Sequence, residues 1–216
     1  MPLYRLKKNY HIKNERIGER VLHKMLKYKK VVLASGSPRR VEIFSMLKIP
    51  FVKATPNINE TLFDTCCAPS KFVKNLSTQK ALSVAQTMSN NCFVVAADTI
   101  CYAKGSIITK PKDRADAARM LNLFSGTRHS VYTGVCISYH SLQKSAFAKT
   151  NVHFKKLTKK QIAHYIQTGE YKDKAGGYAI QGLASQFVEK ICGCPFNIIG
   201  FPISLFYSMS REILFC

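Results

Sequence analysis

The sequence predicts an α/β domain, and three stretches carry that expectation. Val31-Val32-Leu33-Ala34 is a short apolar run of β character that ends in Ser35-Gly36-Ser37 and passes into an amphipathic segment opened by Pro38. Phe93-Val94-Val95-Ala96-Ala97-Asp98-Thr99 is continuously apolar up to its acid, as a central strand covered on both faces would be. Residues 130–139 and 145–154 alternate along their length and read most simply as an antiparallel pair. With 216 residues, 46% of them hydrophobic, the chain can bury one α/β core arranged in two lobes.

The opening turn sets the theme. Ser37 is a natural N-cap and Pro38 suits the first helical position, so the reading is strand, tight turn, helix to about Leu47. Such a turn gathers free N–H groups and the positive end of a helix dipole, where phosphate sits well. Arg39 and Arg40 in the first helical turn oppose that dipole unless an anion lies between them. A strand over Pro50–Ala54 and a polar loop follow. Glu60 in that loop reads, alone, as a surface acid.

Pro69 to about Met88 is helical in pattern, with Val73, Leu76 and Val84 on one side and Lys80 among them. That lysine either snorkels outward or points into a cleft and meets an anion. Asp98, at the carboxyl end of the central strand, is placed to hold a divalent metal or polarise a water. Residues 100–103 continue as strand, Lys104-Gly105-Ser106 makes a hairpin turn, and Lys110 is held extended by Pro111. Asp113 caps a helix from Arg114 to Phe124, and Thr158 caps another from Lys159 to Gln167, with Gly126 and Gly169 as stops. The glycine-rich stretch Asp173–Gly182 matches neither a dinucleotide fingerprint nor a P-loop, and Gln181 within it carries an amide able to read a base edge. A strand over Gln186–Ile191 and a terminal helix from Pro202 to about Leu214 complete the chain.

A formal net charge of +21 favours polyanionic or phosphorylated partners. Residues 1–29 read as a basic N-terminal extension ahead of a domain over 30–216. A basic amphipathic helix is expected there from Glu15 to Tyr28. A solvated appendage is the plainer reading of it, and a nucleic-acid or membrane-surface contact the functional one. Among the eight cysteines, Cys66-Cys67 and Cys192-x-Cys194 have no zinc-ribbon spacing, and a chain of this size needs no disulfides. Reduced thiols in a cytoplasmic protein are expected, with no membrane span and no signal-peptide core.

Taken in order, Ser35-Gly36-Ser37-Pro38-Arg39-Arg40, Ala97-Asp98-Thr99, Lys110-Pro111, Phe124-Ser125-Gly126, Val131-Tyr132-Thr133-Gly134 and Ala179-Ile180-Gln181-Gly182 resemble the Maf family of nucleoside triphosphate pyrophosphatases. The resemblance spans about Val31 to Phe206. It implies an elongated, twisted mixed sheet flanked by helices, with a central cleft between two lobes, as in inosine triphosphate pyrophosphatases. It implies Asp98 as catalytic acid/base or metal-linked carboxylate and Ser35, Arg40, Lys80 and Lys110 as phosphate ligands. Glu60 would assist in the metal or water site, with Mg²⁺ or Mn²⁺ as cofactor. Arg39, Thr99 and Gln181 look like the base-selecting set of the dTTP/UTP branch, and a homodimer stays open. Ala96 stands where the family has glycine, and Cys192-Gly193-Cys194-Pro195-Phe196 replaces a more polar turn.

These residue types suit hydrolysis between the α- and β-phosphates, which needs an in-line water and neutralisation of the leaving pyrophosphate. The alternatives are a related enzyme of different base specificity, or a basic nucleic-acid-binding module without catalysis. The second leaves Asp98 and the lysine in the apolar stripe unexplained.

Overall fold

The apolar runs assemble into one mixed sheet in the order β2-β1-β3-β5-β6-β7, with β4 also paired to β3. The structure, a computed structural model, describes residues 21–60 and 63–215. Strand β1 (Lys30–Ala34) lies parallel to both β2 (Phe51–Ala54) and β3 (Cys92–Ala103). The other pairings are antiparallel: β3 with β4 (Ser106–Ile108) and β5 (Arg128–Tyr139), β5 with β6 (Leu142–Phe154), and β6 with β7 (Val188–Cys192).

The register explains where a cleft can form. Strand β1 ends at Ala34, opposite Ala96, and β4 resumes pairing only at Cys101. Between those points β3 keeps β5 on one edge, and Asp98, Thr99 and Ile100 face a gap on the other. The gap divides two apolar cores. One gathers Leu33, Phe44, Val95, Phe201 and Phe206; the other gathers Leu121, Phe124, Phe154, Tyr165 and Phe187. This is the two-lobed α/β arrangement expected.

Strand alternation then sorts side chains by face. Ala34, Val94 and Ala96 pack with Ala81 and Val84 of helix α3 (Pro69–Ala85), whereas Leu33, Val95 and Ala97 pack with Ile43 and Phe44 of helix α2 (Pro38–Met46). Asp98 therefore continues the α3 face, and Thr99 the α2 face.

Helix α3 lies so close to β5 that a Cβ on Gly134 would fall 2.1 Å from the Val73 carbonyl oxygen. That contact is backbone to backbone and cannot be relieved by a rotamer. Gly134→Ala should destabilise the fold by more than about 3 kcal/mol, beyond ordinary overpacking. Gly36→Ala, where a Cβ meets nothing within 4 Å, should be near neutral. Equal urea midpoints for the two variants would refute the account.

Local signals held at the helix ends. The Asp113 side chain accepts from Asp116 N at the start of α4 (Arg114–Phe124), and Thr158 with Gln161 forms a full capping box on α5 (Lys159–Gln167). The terminal helix, α7, spans Ile203–Leu214. The short helix α6 (Pro195–Ile199) went unread because five residues show no period. The expected strand at Gln186 starts later, since residues Leu183–Phe187 form a 3₁₀ turn.

The expected N-terminal helix lies outside the described residues up to residue 20. Residues 21–27, helix α1, are helical, and Leu22 and Leu26 are fully buried against the core containing Phe206, Met209 and Ile213. His23 Nδ1 is 2.6 Å from Tyr207 Oη, and Lys29 Nζ donates to Tyr139 Oη at 2.8 Å. A solvated appendage thus does not describe residues 21–29. Their apolar face found a partner in α7 that no local pattern could announce.

Beneath the cleft, His129 is stacked on Phe124 and bonded through Nε2 to Tyr178 Oη at 2.8 Å. Burial, helped by the charge of His153, pushes its pKa down to about 3. An unfolded histidine titrates near 6.5, so between those values the unfolded chain binds a proton that the folded chain refuses. Stability should therefore fall as pH drops through this window. Urea midpoints should decline less steeply for His129→Gln than for wild type; parallel slopes would assign the titration elsewhere.

Candidate active site

The turn after β1 delivers its residues into the gap. Ser35 is buried, and its Oγ accepts from Ser37 N at 3.1 Å and from Arg40 Nη1 at 3.3 Å. Ser37 takes the N-cap position of α2 with extended backbone, yet its side chain makes no capping bond. Arg40 is buried: its Nε donates to Gly200 O at 2.9 Å and its Nη2 to Thr99 Oγ1 at 3.1 Å. Arg39 diverges, and its Nη2 donates to Asp173 O at 3.1 Å in the other lobe. Burial lowers the pKa of both guanidinium groups, and Asp98 pushes that of Arg40 back up. Two desolvated cations beside a helix N-terminus suit a polyanion.

On the opposite face stands the acid–base cluster. Lys80 points into the cleft: its Nζ lies 2.5 Å from Asp98 Oδ1 and 2.7 Å from Glu60 Oε1. Lys80 and Asp98 are both buried, and Glu60 is half exposed. Burial pushes the Glu60 carboxyl up, but the Lys80 hydrogen bond and charge, with Lys110 and Arg40, outweigh it and hold it below its ordinary value. Lys110 is an exposed residue of the cleft wall.

These groups line one cleft of about 1000 Å³, together with Ile58, Phe72, Lys174, Tyr178 and Gly200. Eight of the nine residues singled out in the sequence therefore converge. Gln181 does not: it is exposed in a turn, and the cleft wall is supplied by Tyr178 and residues 172–175 instead. Sequence reading also missed the Gly200 carbonyl and the Thr133 hydroxyl, 3.0 Å from Thr99 Oγ1. A carbonyl has no sequence signal. Thr133 lay within a quoted motif, but its contact depends on strand register.

The chemistry of the donors fits a hard divalent cation in part. Asp98 and Glu60 each offer a carboxylate, and one oxygen of each meets Lys80 Nζ. Among the described residues no three His, Cys, Asp or Glu side chains group to hold a metal unaided. Mg²⁺ commonly takes one or two carboxylates and completes its shell with phosphate and water.

The Maf-like protein family model matches residues 30–213. The chain belongs to the Maf family. Among relatives of this Maf member, a protein named dTTP/UTP pyrophosphatase from Thermoanaerobacter sp. (strain X514) is 45% identical over 186 residues, 85% of this chain and 96% of that one. One of the same name from Clostridium perfringens (strain SM101 / Type A) is 41% identical over 180 residues, 82% and 94% of the respective chains. The Ham1 protein of Staphylococcus aureus superposes with a TM-score of 0.50 at 13% identity, covering 86% of this chain and 100% of that one, which shows a shared fold. No helix among the described residues is long and apolar enough to cross a membrane.

Proposed function

We propose that this Maf family member hydrolyses pyrimidine nucleoside triphosphates, dTTP and UTP, to the monophosphate and pyrophosphate. The observation that carries the proposal is the Asp98–Lys80–Glu60 cluster, buried at Asp98 and Lys80, facing Ser35, Arg40 and Thr99 across a single cleft. Relatives named dTTP/UTP pyrophosphatase along most of the chain support the substrate class.

In this reading the triphosphate lies against the Ser35–Ser37 turn, where Arg40, Lys80 and Lys110 neutralise it as charge builds on the leaving pyrophosphate. Asp98 and Glu60 would hold Mg²⁺ or Mn²⁺. When bound, such an ion polarises the phosphate oxygens and makes a coordinated water more acidic. Lys80 keeps the two carboxylates oriented, and Asp98 takes up the proton of the water attacking in line. Tyr178 and Phe72 supply aromatic surface to the cleft wall.

A screen of pyrophosphate release across nucleoside triphosphates with Mg²⁺ or Mn²⁺ tests the proposal. Salt-sensitive binding to oligonucleotides with no pyrophosphate released would favour the nucleic-acid-binding alternative. Base choice is assigned to Arg39 and Thr99, which line the cleft, and not to Gln181, which lies outside it. Arg39→Ala should lower kcat/KM for dTTP and UTP by at least about tenfold more than for a purine triphosphate, since a site built to bond a substrate edge loses most on a mismatch. An equal drop on all three would remove Arg39 from base recognition.

A further inference from the structure

The turn Cys192-Gly193-Cys194 joins β7 to α6, and both thiols are free, with Cys192 exposed and Cys194 half-buried. Gly193 takes a left-handed φ of +128°, and a Cβ there would meet Thr150 Oγ1 at 2.8 Å. The turn is thus pressed onto β6. Two residues at full extension span only about 7 Å, and a bend shortens that, so the two Cα atoms fall within disulfide reach.

What makes the pair more than two surface thiols is the hydrogen-bond chain that starts at Cys194. Its carbonyl accepts from Thr150 Oγ1 at 3.0 Å and from Asn197 N at 3.2 Å. Thr150 Oγ1 accepts in turn from Asn197 Nδ2 at 3.0 Å, and the Asn197 carbonyl accepts from Thr133 Oγ1 at 2.9 Å. Arg40 can only donate, so Thr99 Oγ1 accepts from it and passes its own proton towards Thr133. Every proton in the chain is thereby assigned, from the Arg40 guanidinium to the Cys194 carbonyl. Asn197, its middle member, is fully buried, and its Oδ1 has no partner. Helix α6 closes the loop, because Gly200 at its end supplies the carbonyl that holds Arg40 Nε.

We propose that Cys192 and Cys194 are a reversible disulfide switch that acts on the nucleotide site through Asn197, Thr133 and Thr99. The oxidant is a small-molecule disulfide such as oxidised glutathione. The Cys192 thiolate attacks one of its sulfurs and expels one glutathione thiolate. The Cys194 thiolate then attacks the Cys192 sulfur and expels the second. The protein loses two protons and two electrons, and two glutathione thiols leave. Drawing Cys194 towards Cys192 turns the Cys194 peptide, and its carbonyl releases Thr150 and Asn197. The Asn197 carbonyl and Gly200 then move, and Arg40 loses the partners that aim it at phosphate.

The test treats the full chain with oxidised glutathione and then with dithiothreitol. Peptide mass mapping should show a Cys192–Cys194 crosslink that dithiothreitol reverses. Amide NMR signals of Thr99, Thr133 and Gly200 should shift on oxidation and return on reduction. The catalytic readout rests on the pyrophosphatase reading above: kcat/KM for dTTP should fall at least about tenfold on oxidation, some 1.4 kcal/mol of transition-state stabilisation. Cys192→Ser should keep reduced activity and lose all three responses, whereas Cys66→Ser with Cys67→Ser should respond as wild type does. A crosslink without shifted amides would overturn the switch, as would an undiminished response in Cys192→Ser. If no triphosphate is hydrolysed, the mass and NMR readouts still decide the matter.

Discussion

Asp98→Asn is expected to lower pyrophosphate release from dTTP by at least about 10²-fold with the fold intact, the effect of losing a group that takes up a proton in the transition state. Asp98 is the buried carboxylate on the open stretch of β3, and among the described residues no second acid is buried within the cleft. The substitution keeps the shape and leaves an amide oxygen that still accepts from Lys80. Lys80 also retains Glu60 at 2.7 Å, so its charge is not stranded. The loss should therefore appear in kcat and leave the urea midpoint close to that of wild type. A folded variant with near wild-type kcat would remove Asp98 from the chemistry.

Lys80→Met should damage both stability and rate. The methionine fills the volume of the lysine stem but leaves the buried Asp98 carboxylate facing Glu60 with no cation between them. Removing one partner of a buried ion pair costs about 3–5 kcal/mol, more than the pair itself contributes. The rate should fall by about 10²-fold as well, because a preorganised cation beside the triphosphate is gone. Adding Asp98→Asn to Lys80→Met separates the two effects. Stability should partly recover, since the unpaired charge is removed, whereas activity should not. A Lys80→Met protein as stable as wild type would show that the lysine lies outside the cluster.

Much of this was legible in the residue order. Arg39 and Arg40 at a helix N-terminus, the acid closing an apolar strand and the lysine inside an apolar stripe are local departures from local rules. Departures of that kind mark sites where a ligand compensates them. The caps at Asp113 and Thr158 were equally plain, because their partners lie three residues away.

Other features were settled only by folding. Whether Lys80 snorkelled or turned inward depended on Asp98 and Glu60 arriving within 2.7 Å of its Nζ, and both come from separate segments. The division of labour between Asp98 and Thr99 follows from strand alternation, but which face meets Lys80 and which meets Arg40 depends on where α3 and α2 cross the sheet. Leu22 and Leu26 show the same limit, since an apolar helical face says that it will be covered and not by what. Gln181 shows it in reverse, exposed in its turn although its motif suggested the cleft. The sequence by itself determined the α/β class, the ends of most elements and the chemistry of the cleft, because period, caps and charge act within a few residues. The tertiary structure alone decided which groups meet, including the path from Cys194 to Arg40, because its side-chain contacts join residues from 34 to 160 positions apart.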